Sequence, residues 1–265
     1  MLRKLLKYDL RANIKLFLFI WPAMLLLAGL QRLLLELPVN DFLGRRLIGL
    51  LTGAMVLAMI AVVVLCFVIC VIRFYSGLLR REGYLMFTLP VKPSQLLFSK
   101  FLSAMLTLLL TCMLSYFCIA LIISGLTGTV WSVMFDFSRL FGQPLGVGSL
   151  ILGALNALAT IANMLLRVYF VSCLGHLFRR ARIFMSLLFF YVIGIVMQIV
   201  SMLMMTFVNL TPDSLANSLF KWFNTMSFNE SMSLFLGSVL LVNAAIACVY
   251  YFVSEVILRK RLNLE

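Results

Sequence analysis

The residues able to do chemistry in this chain are few, and their types and spacing exclude most reactions. His176 is the single histidine, so no imidazole cluster can hold a metal ion. It ends a hydrophobic run beside Phe178 and Arg179 and reads as an interfacial residue. The six cysteines, Cys66, Cys70, Cys112, Cys118, Cys173 and Cys248, all fall inside hydrophobic runs without a Cys-x-x-Cys pair, where they behave as small hydrophobes. No pair of carboxylates lies within such a run, which argues against a proton relay. None of the seven lysines follows a glycine, so the G-x-x-x-x-G-K-[ST] phosphate loop is absent. No constellation of nucleophile, base and metal can be assembled. The expectation is a chain that is no enzyme, with no catalytic residues and no metal or cofactor of its own. If it performs uphill transport, the energy arrives from another chain.

What remains is a sparse polar set inside the apolar runs, among them Ser115, Asn156, Asn163, Arg167, Gln198, Ser201 and Asn243. Asn156, Asn163, Arg167 and Gln198 are the candidate residues of a transport pathway. Arg167 lies seven residues before Leu174, about 10 Å along a helix. It is expected to snorkel toward the headgroups or, if the span ends near it and 168–182 continues as a cytoplasmic helix, to lie at the interface, with a role in a substrate path as the alternative. Ser149, Gly153 and Ala157 have the small-x-x-x-small spacing that lets helices approach closely. A cavity walled mainly by Leu, Met and Phe would suit an amphipathic or lipidic cargo better than a small hydrophilic ion.

The elements that must position these residues follow from composition. The chain is 64% hydrophobic and only 12% charged, with a mean hydropathy of +1.12, where soluble domains carry roughly 25% charge. Six runs are long enough to cross a hydrocarbon layer of about 30 Å as helices: residues 16–35, 47–72, 101–125, 149–174, 183–208 and 232–258. The fold class is therefore an all-α integral membrane protein, one transmembrane domain over residues 1–265. Sixteen of the 22 Lys and Arg residues fall on the side that holds both termini, and five on the other. The positive-inside rule then puts both termini in the cytoplasm. That topology and anionic headgroups account for the net charge of +13 without nucleic acid. Residues 1–15 read as an amphipathic helix, with Leu2, Leu5, Leu6 and Leu10 opposite Arg3, Lys4, Lys7 and Arg11. Two outer loops, 129–142 and 211–223, interleave aromatic and polar residues and read as helices lying at the interface.

The cytoplasmic segment 73–100 is the most elaborate stretch that lipid does not explain. Phe74, Tyr75, Leu78, Tyr84 and Leu85 are bulky, Arg80, Arg81 and Glu82 frame them, and Gly83 interrupts any helix. Leu89-Pro-Val-Lys-Pro93 forms an extended turn, and Ser94-Gln-Leu-Leu97 starts the next helix. An exposed aromatic knob between two spans suits a groove on a partner.

Phe74-Tyr-Ser-Gly-Leu-Leu79, Glu82-Gly-Tyr-Leu-Met-Phe-Thr-Leu-Pro90 and Gln95-Leu-Leu-Phe-Ser-Lys100 resemble type-2 ATP-binding-cassette (ABC) permeases of Gram-positive bacteria, and the six-span layout is similar over the whole chain. The resemblance implies a multi-pass protein of the bacterial plasma membrane, the permease subunit of an exporter. It makes residues 1–15 the connecting helix and residues 73–100 the coupling loop. Phe74, Tyr75, Leu78, Leu79, Arg80, Arg81, Glu82, Gly83, Tyr84, Leu85 and Phe87 would then dock an ABC ATPase subunit, which binds the ATP and Mg. A second permease, identical or related, would complete the pathway, and membrane lipid would surround it. The alternative is a non-transporting scaffold or sensor subunit that docks a cytoplasmic regulator.

Overall fold

The computed structural model describes residues 2–36, 42–79, 93–127, 146–178, 182–210 and 225–260. The helices among them are α1 (Leu2–Phe17), α2 (Ile20–Glu36), α3 (Phe42–Phe74), α4 (Pro93–Thr127), α5 (Val147–Gly175), α6 (Arg182–Leu210) and α7 (Phe228–Lys260). A single π-helical turn, Tyr75–Leu79, runs on from α3, and there is no strand among the described residues. Six stretches are long and apolar enough to cross a membrane: Leu5–Glu36, Arg46–Gly77, Ser94–Ser124, Val147–Gly175, Phe184–Leu203 and Phe228–Arg259. The all-α class and the six spans expected from hydropathy are thus present. Segment 80–92 and both outer loops lie outside the described residues.

The break between α1 and α2 has a local cause. Pro22 has no N–H, and its ring displaces the carbonyl four residues earlier, that of Leu18. The helix accordingly gives way to a turn at Leu18 and Phe19. Pro93 is tolerated because it is the first residue of α4, where its missing N–H would have no helical partner.

The chain divides into two compact units, Met1–Phe74 with Pro90–Gly142, and Tyr75–Leu89 with Gln143–Glu265. In the first, α4 is the spine and packs on α1, α2 and α3. Ser99, Ser103, Thr107, Thr111 and Ser115 recur every four residues along it, and all are buried. Their small size permits close approach. Thr107 and Thr111 donate to the carbonyls of Ser103 and Thr107 at 3.0 and 2.8 Å, so the hydroxyls stay satisfied in an apolar setting. A four-residue step turns the stripe by about 40° each time on a helix of 3.6 residues per turn. The stripe therefore meets different neighbours in turn. Ser99 donates to Asp9 of α1 at 3.0 Å, Thr107 lies 3.6 Å from Cys70 of α3, and Thr111 accepts Nε1–H of Trp21 of α2 at 3.2 Å. Beyond the stripe, Met24, Ala28, Met59, Cys118 and Ile122 form an apolar core.

In the second unit α5 pairs with α7 and also packs on α6. Asn156 Nδ2 donates to the Leu236 carbonyl at 2.7 Å, Asn163 Nδ2 to the Asn243 carbonyl and Oδ1 at 2.8 Å, and Phe170 stacks on Tyr250 at 5.5 Å. Each partner lies 80 positions further along the chain, so α5 and α7 run parallel. Successive contacts are seven residues apart, the repeat of a left-handed helix pair. At its start, Asn229 Oδ1 accepts the Gly146 N–H at 2.8 Å. Ser227 and Glu230 cap α7 reciprocally: Ser227 N–H donates to Glu230 Oε2, and Glu230 N–H to Ser227 Oγ. This seam replaces the expected small-residue stripe. A Cβ added at Gly153 would meet nothing within 4 Å, and Ala157 is exposed.

Candidate coupling region and intramembrane polar sites

Polar and charged side chains join α1 to the end of α3 and the start of α4. Asp9 of α1 pairs with Lys100 of α4 at 2.5 Å, and both side chains are only 14% exposed. One turn later Asn13 Oδ1 accepts Nη1–H of Arg73 at 2.6 Å. Asp9, Asn13 and Phe17 are four residues apart, which places them on one face of the helix. Asn13 and Phe17 are buried, and Phe17 stacks on Trp21 at 5.8 Å. The opposite side carries an open groove of about 380 Å³ lined by Lys7, Leu10, Arg11, Ile14, Lys15 and Leu18. Leu10, Ile14 and Leu18 form an apolar row beside the basic row of Lys7, Arg11 and Lys15, the pattern of a helix at an anionic headgroup surface. The tie between α1 and α4 was not anticipated from the sequence. The signal for it was present: Asp9 is the only acid on an otherwise basic helix.

The expected docking residues separate into three groups. Phe74 is 1% exposed and so is not part of an exposed knob. Cys66 and Cys70 of α3 are buried too, and Phe74 extends their four-residue stripe, so the helical period turns its ring inward. Tyr75 lies in the π-helical turn, half-buried, with its ring 5.2 Å from that of His176 at the end of α5. Leu78 and Leu79 complete that turn; together these residues continue α3 and do not form a separate short helix. A π-helical turn widens the helix and often marks a functional position. Arg80, Arg81, Glu82, Gly83, Tyr84, Leu85 and Phe87 lie outside the described residues.

The expected pathway residues are not brought together. Asn156 and Asn163 are used in the α5–α7 seam, because an amide in an apolar layer is held by whatever carbonyl lies opposite. Gln198 is exposed on α6, and its backbone carbonyl accepts the Ser201 hydroxyl at 2.8 Å. Arg167 does not extend toward the near end of α5. Its Nη2 donates to the Phe190 carbonyl on α6 at 2.9 Å, and the guanidinium lies 4.6 Å from the centre of the Phe190 ring. Arg167 is eight residues before the end of α5 and Phe190 eight residues after the start of α6, so the contact sits about 12 Å from either helix end. Helical side chains lean toward the N-terminus, and on α5 that direction leads away from the end rich in basic residues.

Gly194 makes this contact possible. It is four residues after Phe190, where a side chain would shield the Phe190 carbonyl. A Cβ there would stand 2.7 Å from Nη2 of Arg167. The sequence showed Arg167 but gave no means of pairing it with a glycine 27 positions on. Among the described residues no group of three or more His, Cys, Asp or Glu could hold a metal ion.

No protein-family model matches the chain, and neither a curated protein nor a solved structure matches it.

Proposed function

We propose that this chain is the permease subunit of an ABC exporter, moved by a separate ATPase that seats on residues 75–87. The observation that carries the reading is the joint formed by Asp9, Lys100, Asn13 and Arg73. Arg73 and Lys100 bracket the segment with the ABC-permease resemblance, so a force applied to that segment enters α3 and α4 directly. It reaches α1 through two polar contacts, one of them a nearly buried ion pair. Such a joint turns a local push into movement of packed helices as a body.

In this reading ATP and Mg belong to the partner, and both termini face the cytoplasm of a bacterial cell. A second permease, identical or related, completes the pathway. None of the described side chains of α6 is buried, which makes α6 the surface available to that second subunit or to lipid. The cargo is hydrophobic or amphipathic, in keeping with spans made mainly of apolar residues.

The side of the membrane on which the segment lies is the first test. A cysteine introduced at Tyr84 in a cysteine-free background is expected to resist a membrane-impermeant maleimide in intact cells and to react in inside-out vesicles. Labelling in intact cells alone would place the segment outside and end the proposal.

A further inference from the structure

We infer that Arg167 is a receptor, within the membrane, for the acidic headgroup of an amphiphile: a carboxylate or a phosphate on an apolar tail. The inference stands whether or not an ATPase drives the chain. It begins with a charge that is not neutralised. Arg167 lies about 12 Å from the end of α5, within a stretch long and apolar enough to cross a membrane, where a cation facing lipid is costly, and it makes no ion pair with any described residue. A guanidinium has five N–H donors and cannot be deprotonated. Here the Phe190 carbonyl takes one of them, while Nε is buried with no acceptor. The side chain is only half-buried, so part of the group remains within reach of the surrounding layer.

The setting also holds the guanidinium still. The Phe190 ring lies against it, the Phe190 carbonyl fixes one edge, and the absent side chain of Gly194 leaves the space. A purely structural tie between α5 and α6 would be satisfied by a neutral donor such as glutamine. A fixed planar cation presents the fork geometry that pairs with carboxylate and phosphate oxygens. The tail of the ligand would lie along apolar side chains at the same depth, such as Tyr191 and Ile195, both exposed on α6.

The test uses the full chain in nanodiscs of neutral phosphatidylcholine, with a photoactivatable fatty acid and its methyl ester as probes. At about pH 9 the free acid is ionised. The acid is expected to label α5 and α6 peptides at a half-saturating concentration about tenfold below that of the ester, the order of one charge-assisted hydrogen bond. Arg167→Gln should bring the acid to the ester's value, and Arg167→Lys should keep part of the preference. Gly194→Ala, which keeps the charge and displaces the guanidinium, should reduce the preference several-fold, and it serves as the test if Arg167→Gln fails to fold. Competition by phosphatidylglycerol assigns a lipid phosphate to the site; a site that resists it is specific for the free acid, and either result supports the inference. Equal labelling by acid and ester in the wild-type protein overturns it. So does an acid preference that survives in folded Arg167→Gln or Gly194→Ala.

Discussion

Asp9→Ala is expected to lower the unfolding free energy of the protein in mixed micelles by about 3 kcal/mol, the range for stripping one partner from a buried ion pair. The Asp9 and Lys100 side chains are each 14% exposed, so Asp9→Ala leaves Lys100 without its partner and with little water around it. Ser99 loses its acceptor at the same time. The control is Asp9→Leu with Lys100→Met, which removes both charges and should recover most of the loss. If the single and double variants are equally unstable, the ion pair is not what joins α1 to α4. The distinction bears on function, because a joint that transmits force must hold α1 against α4 while the neighbouring segment is pulled.

Thr111→Leu should cost about 2–3 kcal/mol by the same measurement, and Thr111→Val about 1–2 kcal/mol. Thr111 is 0% exposed, accepts the Trp21 indole N–H and lies 3.5 Å from Cys66 Sγ. Valine keeps the shape and strands the indole N–H, whereas leucine also overfills the site. Thr111→Ser keeps the hydroxyl and should fall within about 1 kcal/mol of wild type. Equal losses for serine and valine would show that packing of the methyl group, and not the hydroxyl, fixes α2 against α4.

These two positions show what could be read from the sequence. The six spans were legible because hydrophobic runs of more than 20 residues admit few other structures. The break before Pro22 and the start of α4 at Pro93 follow from the missing N–H of proline. The four-residue Ser/Thr repeat from Ser99 to Ser115 was visible as a pattern, yet its meaning depended on neighbours 37 to 90 positions away. The same holds for Asn156 and Asn163. Polar residues in apolar runs suggest a pathway when seen alone, and only the seven-residue partners on α7 show that they join helices. Phe74 looked exposed because the loop beside it is polar; the stripe of Cys66 and Cys70 was the better guide. Arg167 was singled out for its charge, but the glycine that seats it carries no signal in sequence.

The central claim is that a nucleotide-hydrolysing partner moves this chain by seating on residues 75–87. Affinity purification of the tagged chain from its own membrane in mild detergent, followed by an ATPase assay of the eluate, tests it most directly. The account predicts ATP hydrolysis that co-elutes with the wild-type chain and is lost from a Tyr84→Ala, Phe87→Ala variant whose thermal stability is unchanged. A wild-type eluate without ATPase activity, or activity retained in full by the variant, contradicts it.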